Sequence, residues 1–171
     1  GVVPDMVTMG KPMGNGFPLS GTAMRPELVQ EFGEKARYFN TFGGNPVAAT
    51  AGMAVLDVIE EEGLQANAAK VGAFLKAGLQ HIATRYPKIG HVRGAGLFLA
   101  VECITSHETH TPDATLAHFV VNHLRENGVL IRATGPGANI LKIRPPLVLQ
   151  QTEAQLFLNA IEVAFAAAAR Q

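Results

Sequence analysis

Neither sign of charge is in excess in this 171-residue chain, since Lys plus Arg and Asp plus Glu each number 14. Without a basic surplus there is no counterion-release drive toward nucleic acid, and a small-molecule function is favoured. Long apolar runs are missing as well. The apolar fraction is 47%, but it is spread as scattered Ala, Val and Leu, and no stretch reaches the ~18 uninterrupted apolar residues of a membrane span. Cysteine is reduced to Cys103, so no internal disulfide can form and no CxxC metal motif exists, which points to a reducing cytoplasm. The opening Gly1-Val2-Val3-Pro4-Asp5 has no initiator Met, charged n-region or apolar h-region, and it reads as a cut through a longer chain.

Glycine and proline crowd residues 1–41. Met6-Val7-Thr8-Met9 reads as a short strand running into the loop Gly10-Lys11-Pro12-Met13-Gly14-Asn15-Gly16, and Gly21-Thr22-Ala23-Met24 as a second. Arg25-Pro26-Glu27 opens a helical stretch, because proline is tolerated in a first helical turn. A second turn-rich knot, Thr41-Phe42-Gly43-Gly44-Asn45-Pro46, ends in an N-cap asparagine with proline at the first helical position. The helix it starts carries apolar residues at three- and four-residue spacing from Val47 to about Glu62, with Gly63 as its C-cap. A further helix runs from about Leu64 to Tyr86 and stops at Pro87. There follow a strand around Val92 to Glu102, a polar loop 105–112, a helix about 113–127, strands near 129–133 and 139–144, and a last helix from about Thr152 to Ala169. That order describes an α/β chain whose later part is a small α+β domain with a sheet covered by helices.

Several residues invite chemistry. Lys11 ends an apolar stretch among glycines and a proline, which suits a tight backbone held close to something. A lysine withdrawn from water can offer a neutral amine to a carbonyl carbon, and a solvated surface lysine is the plain alternative. Arg93-Gly94-Ala95-Gly96 lets a strand start close to its neighbour, since a lone GxG without a following helix is weak as a dinucleotide loop. His107 and His110 lie in a polar loop with no third ligand, so no metal site is assigned. Cys103 reads as a buried small hydrophobe.

The run from Asp5 to Pro18, centred on Gly10-Lys11-Pro12, resembles the Schiff-base lysine segment of class III aminotransferases, which are fold-type I enzymes using pyridoxal 5'-phosphate (PLP). Phe39-Asn40-Thr41-Phe42-Gly43-Gly44-Asn45-Pro46 is similar to the segment that follows in the same family. The similarity continues through Val92-Arg93-Gly94-Ala95-Gly96-Leu97 and Leu141-Lys142-Ile143-Arg144-Pro145-Pro146-Leu147, so it spans essentially the whole chain.

On that resemblance the chain is the carboxy-terminal portion of such an enzyme. Residues 1–46 would be the end of the large PLP-binding domain, 47–65 an interdomain helix and 66–171 the small α+β domain. Lys11 would be the Schiff-base lysine and proton carrier. Thr41 would bind the cofactor phosphate from the partner subunit of a homodimer, with Gly43 and Gly44 allowing close approach. The carboxylate that pairs with the pyridine nitrogen and the aromatic that stacks on the ring would precede Gly1. Residues 1–41 would then be weakly anchored, extended, or held by a neighbouring chain, and cofactor binding by these residues alone would be weak or absent.

Many family members that act on α-amino acids place an arginine three residues before the double proline; here that position is Lys142, with Arg144 directly before the prolines. In a strand, 142 and 144 share a face, so either cation could meet a substrate anion or remain a solvated charge. The departure resembles a branch holding ω-aminotransferases and PLP-dependent phospho-lyases. The implied activity is transfer of an amino group from a small amine or amino acid to a keto acid. The alternatives are a phospho-lyase acting on a phosphorylated amine, or a non-catalytic dimerising module.

Overall fold

The computed structural model describes residues 1–170. They form two compact units, Gly1–Gly63 and Leu64 onward.

The first unit opens on β1 (Met6–Met9) and β2 (Gly21–Met24), which pair antiparallel from Met6 opposite Met24 to Met9 opposite Gly21. The first segment is thus a two-stranded ribbon. Arg25 closes it, its N–H donating to the Asp5 carbonyl at 3.1 Å and its guanidinium meeting the Asp5 carboxylate at 2.9 Å. Helix α1 (Pro26–Lys35) buries no residue and is supported by an exposed Glu31–Lys35 pair, worth only a few tenths of a kcal/mol. Met6, Val7, Met9 and Met24 remain exposed, and a two-stranded ribbon of this kind is marginal by itself. Helix α2 (Pro46–Glu61) begins as the sequence indicates, with the Asn45 side chain accepting from the Ala48 N–H at 2.9 Å, and Gly63 follows it at φ +60°.

The second unit is an antiparallel sheet in the order β3-β4-β6-β5, built from β3 (Ile89–Ala95), β4 (Phe98–Cys103), β5 (Arg132–Thr134) and β6 (Ile140–Ile143). Helices α3 (Leu64–Ala83), α4 (Ala114–Glu126) and α5 (Gln151–Ala168) bury their apolar stripes on one face of it. Strand alternation supplies the other half of that core: Leu99, Val101 and Cys103 of β4 and Leu141 and Ile143 of β6 point inward and are almost fully buried. The opposite face is covered by no element of this unit.

Three sequence expectations shift here. The single strand expected over 92–102 is a hairpin, because the chain turns back at Gly96-Leu97, with Gly96 at φ +53° and Gly94, at φ +129°, still paired with Leu99 in the ladder. A Cβ on Gly94 would lie 2.1 Å from the Phe98 carbonyl oxygen, so that position demands glycine. The strand expected from 129 begins only at Arg132, since the Val129 N–H is spent on the Leu124 carbonyl at the end of α4 (2.9 Å). Helix α3 stops at Ala83, where Thr84 turns back to bond the His81 carbonyl at 2.7 Å through its hydroxyl.

Candidate functional site

Lys11 heads a 3-10 turn, Lys11–Gly14, immediately after β1. Its backbone sits at φ +46°, left-handed, and its side chain is exposed. A non-glycine residue rarely occupies that region unless the surroundings impose it. The surroundings here are specific. Gly14 is buried, and a Cβ there would press on Leu19 and Phe17 at 3.2 and 3.3 Å; a Cβ on Gly52 of α2 would lie 2.6 Å from the Leu19 Cδ2. The lysine loop is thus clamped through Leu19 against α2. Asn15, at φ +45°, closes the turn by donating its N–H to the Pro12 carbonyl at 3.0 Å.

The second motif is organised by Asn40. Its Oδ1 accepts from the N–H groups of Phe42 (3.1 Å) and Gly43 (3.0 Å), while Asn45 Nδ2 donates to the Phe42 carbonyl at 2.8 Å. A Cβ on Gly43 would lie 3.1 Å from Asn40 carbon atoms, and Gly44 takes φ +70°. The result is an exposed turn, with Thr41 on its rim, delivered to the first turn of α2. Sequence reading quoted Asn40 within the motif and assigned it no role; its Asx geometry was the available signal. Among the described residues no hydrogen bond or ion pair joins the Lys11 loop to the Thr41 turn within this chain.

Lys142 lies on β6, half-buried, on the outer face of the second unit's sheet. Its ammonium stands 5.7 Å from the centroid of the Phe98 ring, a cation–π distance. Arg144 follows the end of β6 and is exposed. The register adds a residue that the sequence did not single out: Arg132 of β5 is directly opposite Lys142. Nothing local to the tripeptide Arg132-Ala133-Thr134 marks it, because the pairing is a long-range property.

The larger cleft of this unit, about 660 Å3, has Arg132, Lys142 and Arg144 among its lining residues, yet Leu75, Ile143 and Phe157 make its apolar walls. Those walls belong to the core side of the sheet, whereas the Lys142 ammonium lies over Phe98 on the other side. The three cations therefore border the cleft at the edge of the sheet, with the Lys142 ammonium turned over Phe98 on the outer face.

Cys103 is fully buried, and its thiol is pushed up to about 12 by that burial, with smaller contributions from Asp113 and Glu102. It is not a nucleophile at neutral pH. The rings of His107 and His110 meet edge-on at 6.2 Å in an exposed loop. Among the described residues no three His, Cys, Asp or Glu side chains gather as metal ligands, and no helix is long and apolar enough to cross a membrane.

Known proteins place this architecture. The chain is 44% identical over 94% of its length to the mitochondrial alanine–glyoxylate aminotransferase 2 homolog 2 of Arabidopsis thaliana, covering 34% of that protein. It is 40% identical over 95% of its length to ethanolamine-phosphate phospho-lyase homolog 1 of Caenorhabditis elegans, covering 35% of it. Among solved structures, a phospholyase from Arthrobacter in complex with phosphoethanolamine superimposes with a TM-score of 0.92 at 43% identity, over 96% of this chain and 39% of that one. The chain therefore spans about a third of the length of the curated relatives it matches. Residues 1–165 match the family described as aminotransferase class-III, and the chain belongs to that family.

Proposed function

We propose that this chain is the carboxy-terminal section of a PLP-dependent aminotransferase that moves an amino group from a small amine or amino acid to a keto acid. The observation that carries the proposal is Lys11, held left-handed at φ +46° and exposed on a loop clamped against α2. Strain of this kind concentrates where a side chain must be presented in one direction. Within this reading, residues 1–46 end the cofactor-binding domain, 47–65 form the interdomain helix and 66–171 the small domain.

Pyridoxal phosphate, the cofactor the family implies, fits the residues present. Lys11 Nζ is an accessible primary amine, and the Asn40-braced turn at Thr41, Gly43 and Gly44 is an exposed, side-chain-poor backbone suited to a phosphate. When bound, that cofactor supplies an electron sink for carbanion chemistry. Lys11 Nζ would hold it, then take a proton from the substrate carbon and return it elsewhere on the same framework. Thr41, Gly43 and Gly44 would secure its phosphate from the neighbouring subunit of a homodimer. Lys142 and Arg144 would meet the substrate's anionic group. The single buried cysteine suits a reducing, cytoplasmic setting.

Lysine in place of arginine at 142, together with similarity to a phospholyase solved with phosphoethanolamine, favours one second reading. In a phospho-lyase the same Lys11 amine removes the proton and phosphate leaves.

The test is borohydride reduction of the full-length enzyme of which this chain is proposed to be a section, incubated with pyridoxal phosphate and followed by peptide mass spectrometry. A cofactor adduct on Lys11 is expected, and its loss in Lys11→Ala. An adduct on another lysine with Lys11 unlabelled would overturn the assignment. An aldehyde or ketone formed from an amine donor, with the keto-acid acceptor converted to its amino acid, marks the transferase, and inorganic phosphate released from a phosphorylated amine marks the lyase.

A further inference from the structure

The outer face of the second unit's sheet carries one row of side chains that crosses all four strands. Arg93 on β3 is opposite Ala100 on β4, Ala100 is opposite Lys142 on β6, and Lys142 is opposite Arg132 on β5. Three of the four are cations, and the exposed Arg144 follows just past the end of β6. This face has one carboxylate next to the row, Glu102, and Arg93 takes it in a 2.5 Å ion pair. Among the described residues, Arg132, Lys142 and Arg144 make no ion pair at all.

Like charges directly opposite in an antiparallel pair are unfavourable, with Cβ atoms only about 5 Å apart. A half-buried lysine facing an arginine, with the sole nearby acid already committed, is an arrangement that an anion stabilises. Ala100, the smallest side chain of the row, separates Arg93 from Lys142, and the Lys142 ammonium stands 5.7 Å from the centroid of the Phe98 ring on this side.

We propose that Arg132 and Lys142 form a subsite for a doubly charged, phosphate-type anion, with Arg132 as its second specificity-determining cation. One carboxylate would neutralise only one of the two cations. A phosphate monoester carries about −1.5 to −2 charge at pH 7, with three acceptor oxygens, and can engage the planar fork of Arg132 and the point charge of Lys142 together. Arg93 is not a ligand but a bookend, its charge spent on Glu102. As far as it names a substrate class, the proposal rests on the reading of the chain as part of an amine-processing enzyme; the anion site itself needs neither Lys11 nor the cofactor.

The experiment is a nitrogen-15 NMR titration of the 171-residue chain at constant ionic strength, with inorganic phosphate, phosphoethanolamine and acetate as separate probes. Phosphate and phosphoethanolamine should both give saturable shifts at the amides of Ala100, Arg132 and Lys142, and acetate should bind far more weakly. Arg132→Gln and Lys142→Gln should each weaken phosphate binding by roughly 10- to 100-fold, the loss of one charge-assisted contact. Arg132→Lys, which keeps the charge and the edge-strand position, should retain binding and lose preference for phosphate over acetate. Absence of saturable shifts on this face, equal affinity for acetate, or an Arg132→Gln titration matching the parent would each overturn the site. Binding of inorganic phosphate without phosphoethanolamine would overturn the substrate assignment. Borohydride labelling of Lys11 reads the other proposal independently: an adduct without phosphate binding sinks only the subsite, and phosphate binding without an adduct sinks only the cofactor reading.

Discussion

Asn139 and Cys103 are tied by two hydrogen bonds: the Cys103 N–H donates to the Asn139 carbonyl at 2.8 Å, and Asn139 Nδ2 donates to the Cys103 carbonyl at 2.7 Å. Asn139 is the buried polar side chain of this core, and its amide continues the β4–β6 ladder past the last strand pair. The Cys103 carbonyl also accepts from the Asp113 N–H at 3.0 Å, which brings the start of α4 to the same point. Asn139→Ala should therefore destabilise the second unit by about 1–3 kcal/mol, the cost of a lost buried hydrogen bond and a small void. Denaturant unfolding with unchanged m-value is the check, and an unshifted midpoint would show the side-chain bond to be dispensable.

Gly72 of α3 packs on the β3–β4 turn so closely that a Cβ there would stand 2.1 Å from the Gly96 carbonyl oxygen. Replacing a mid-helix glycine by alanine ordinarily gains about 1 kcal/mol. Here overlap with backbone outweighs that gain, and Gly72→Ala should cost about 1–3 kcal/mol net. Thermal melts decide the sign.

The Cys103 thiol should resist alkylation in the native protein and react only on unfolding, because burial keeps it protonated to about pH 12. Its folded-state value lies above the ordinary thiol value of 9.0, so the folded protein holds a proton that the unfolded chain releases above that value. The associated stability is complete below pH 9 and is lost as pH rises toward 12, at about 1.4 kcal/mol per pH unit. Cys103→Ala should flatten this alkaline decline; an identical slope in that variant would assign the decline to other groups.

Lys142→Ala in the active enzyme should raise KM for an anionic donor by a factor equivalent to about 1.5–3 kcal/mol and leave a neutral amine donor nearly unaffected. Steady-state kinetics with the two donor types are the measurement, and equal effects on both would remove Lys142 from substrate recognition.

The helices were legible in the sequence where local chemistry marks both ends. Asn45-Pro46 before an apolar stripe and Gly63 after it framed α2, and Asp113 caps α4 by accepting from the Leu116 N–H at 2.9 Å. The strands were less legible. The break between β3 and β4 depends on positive φ at Gly96, and the glycines alone also allowed a continuous strand. Val129 to Ile131 has strand composition but serves to end α4. Lys11 and the Thr41 turn stood out as candidates because each is a contiguous motif. Arg132 did not, since its meaning comes from a register partner ten residues away across a turn.

The left-handed backbone at Lys11 has a consequence for what evolution can do with that position. Glycine adopts φ +46° without the Cβ penalty that lysine bears there, a difference of about 1 kcal/mol. Lys11→Gly should accordingly make the chain slightly more resistant to denaturant while removing its amine. A selection that rewarded durability alone would erase this lysine, so in the proposed reaction function and robustness oppose each other at this position.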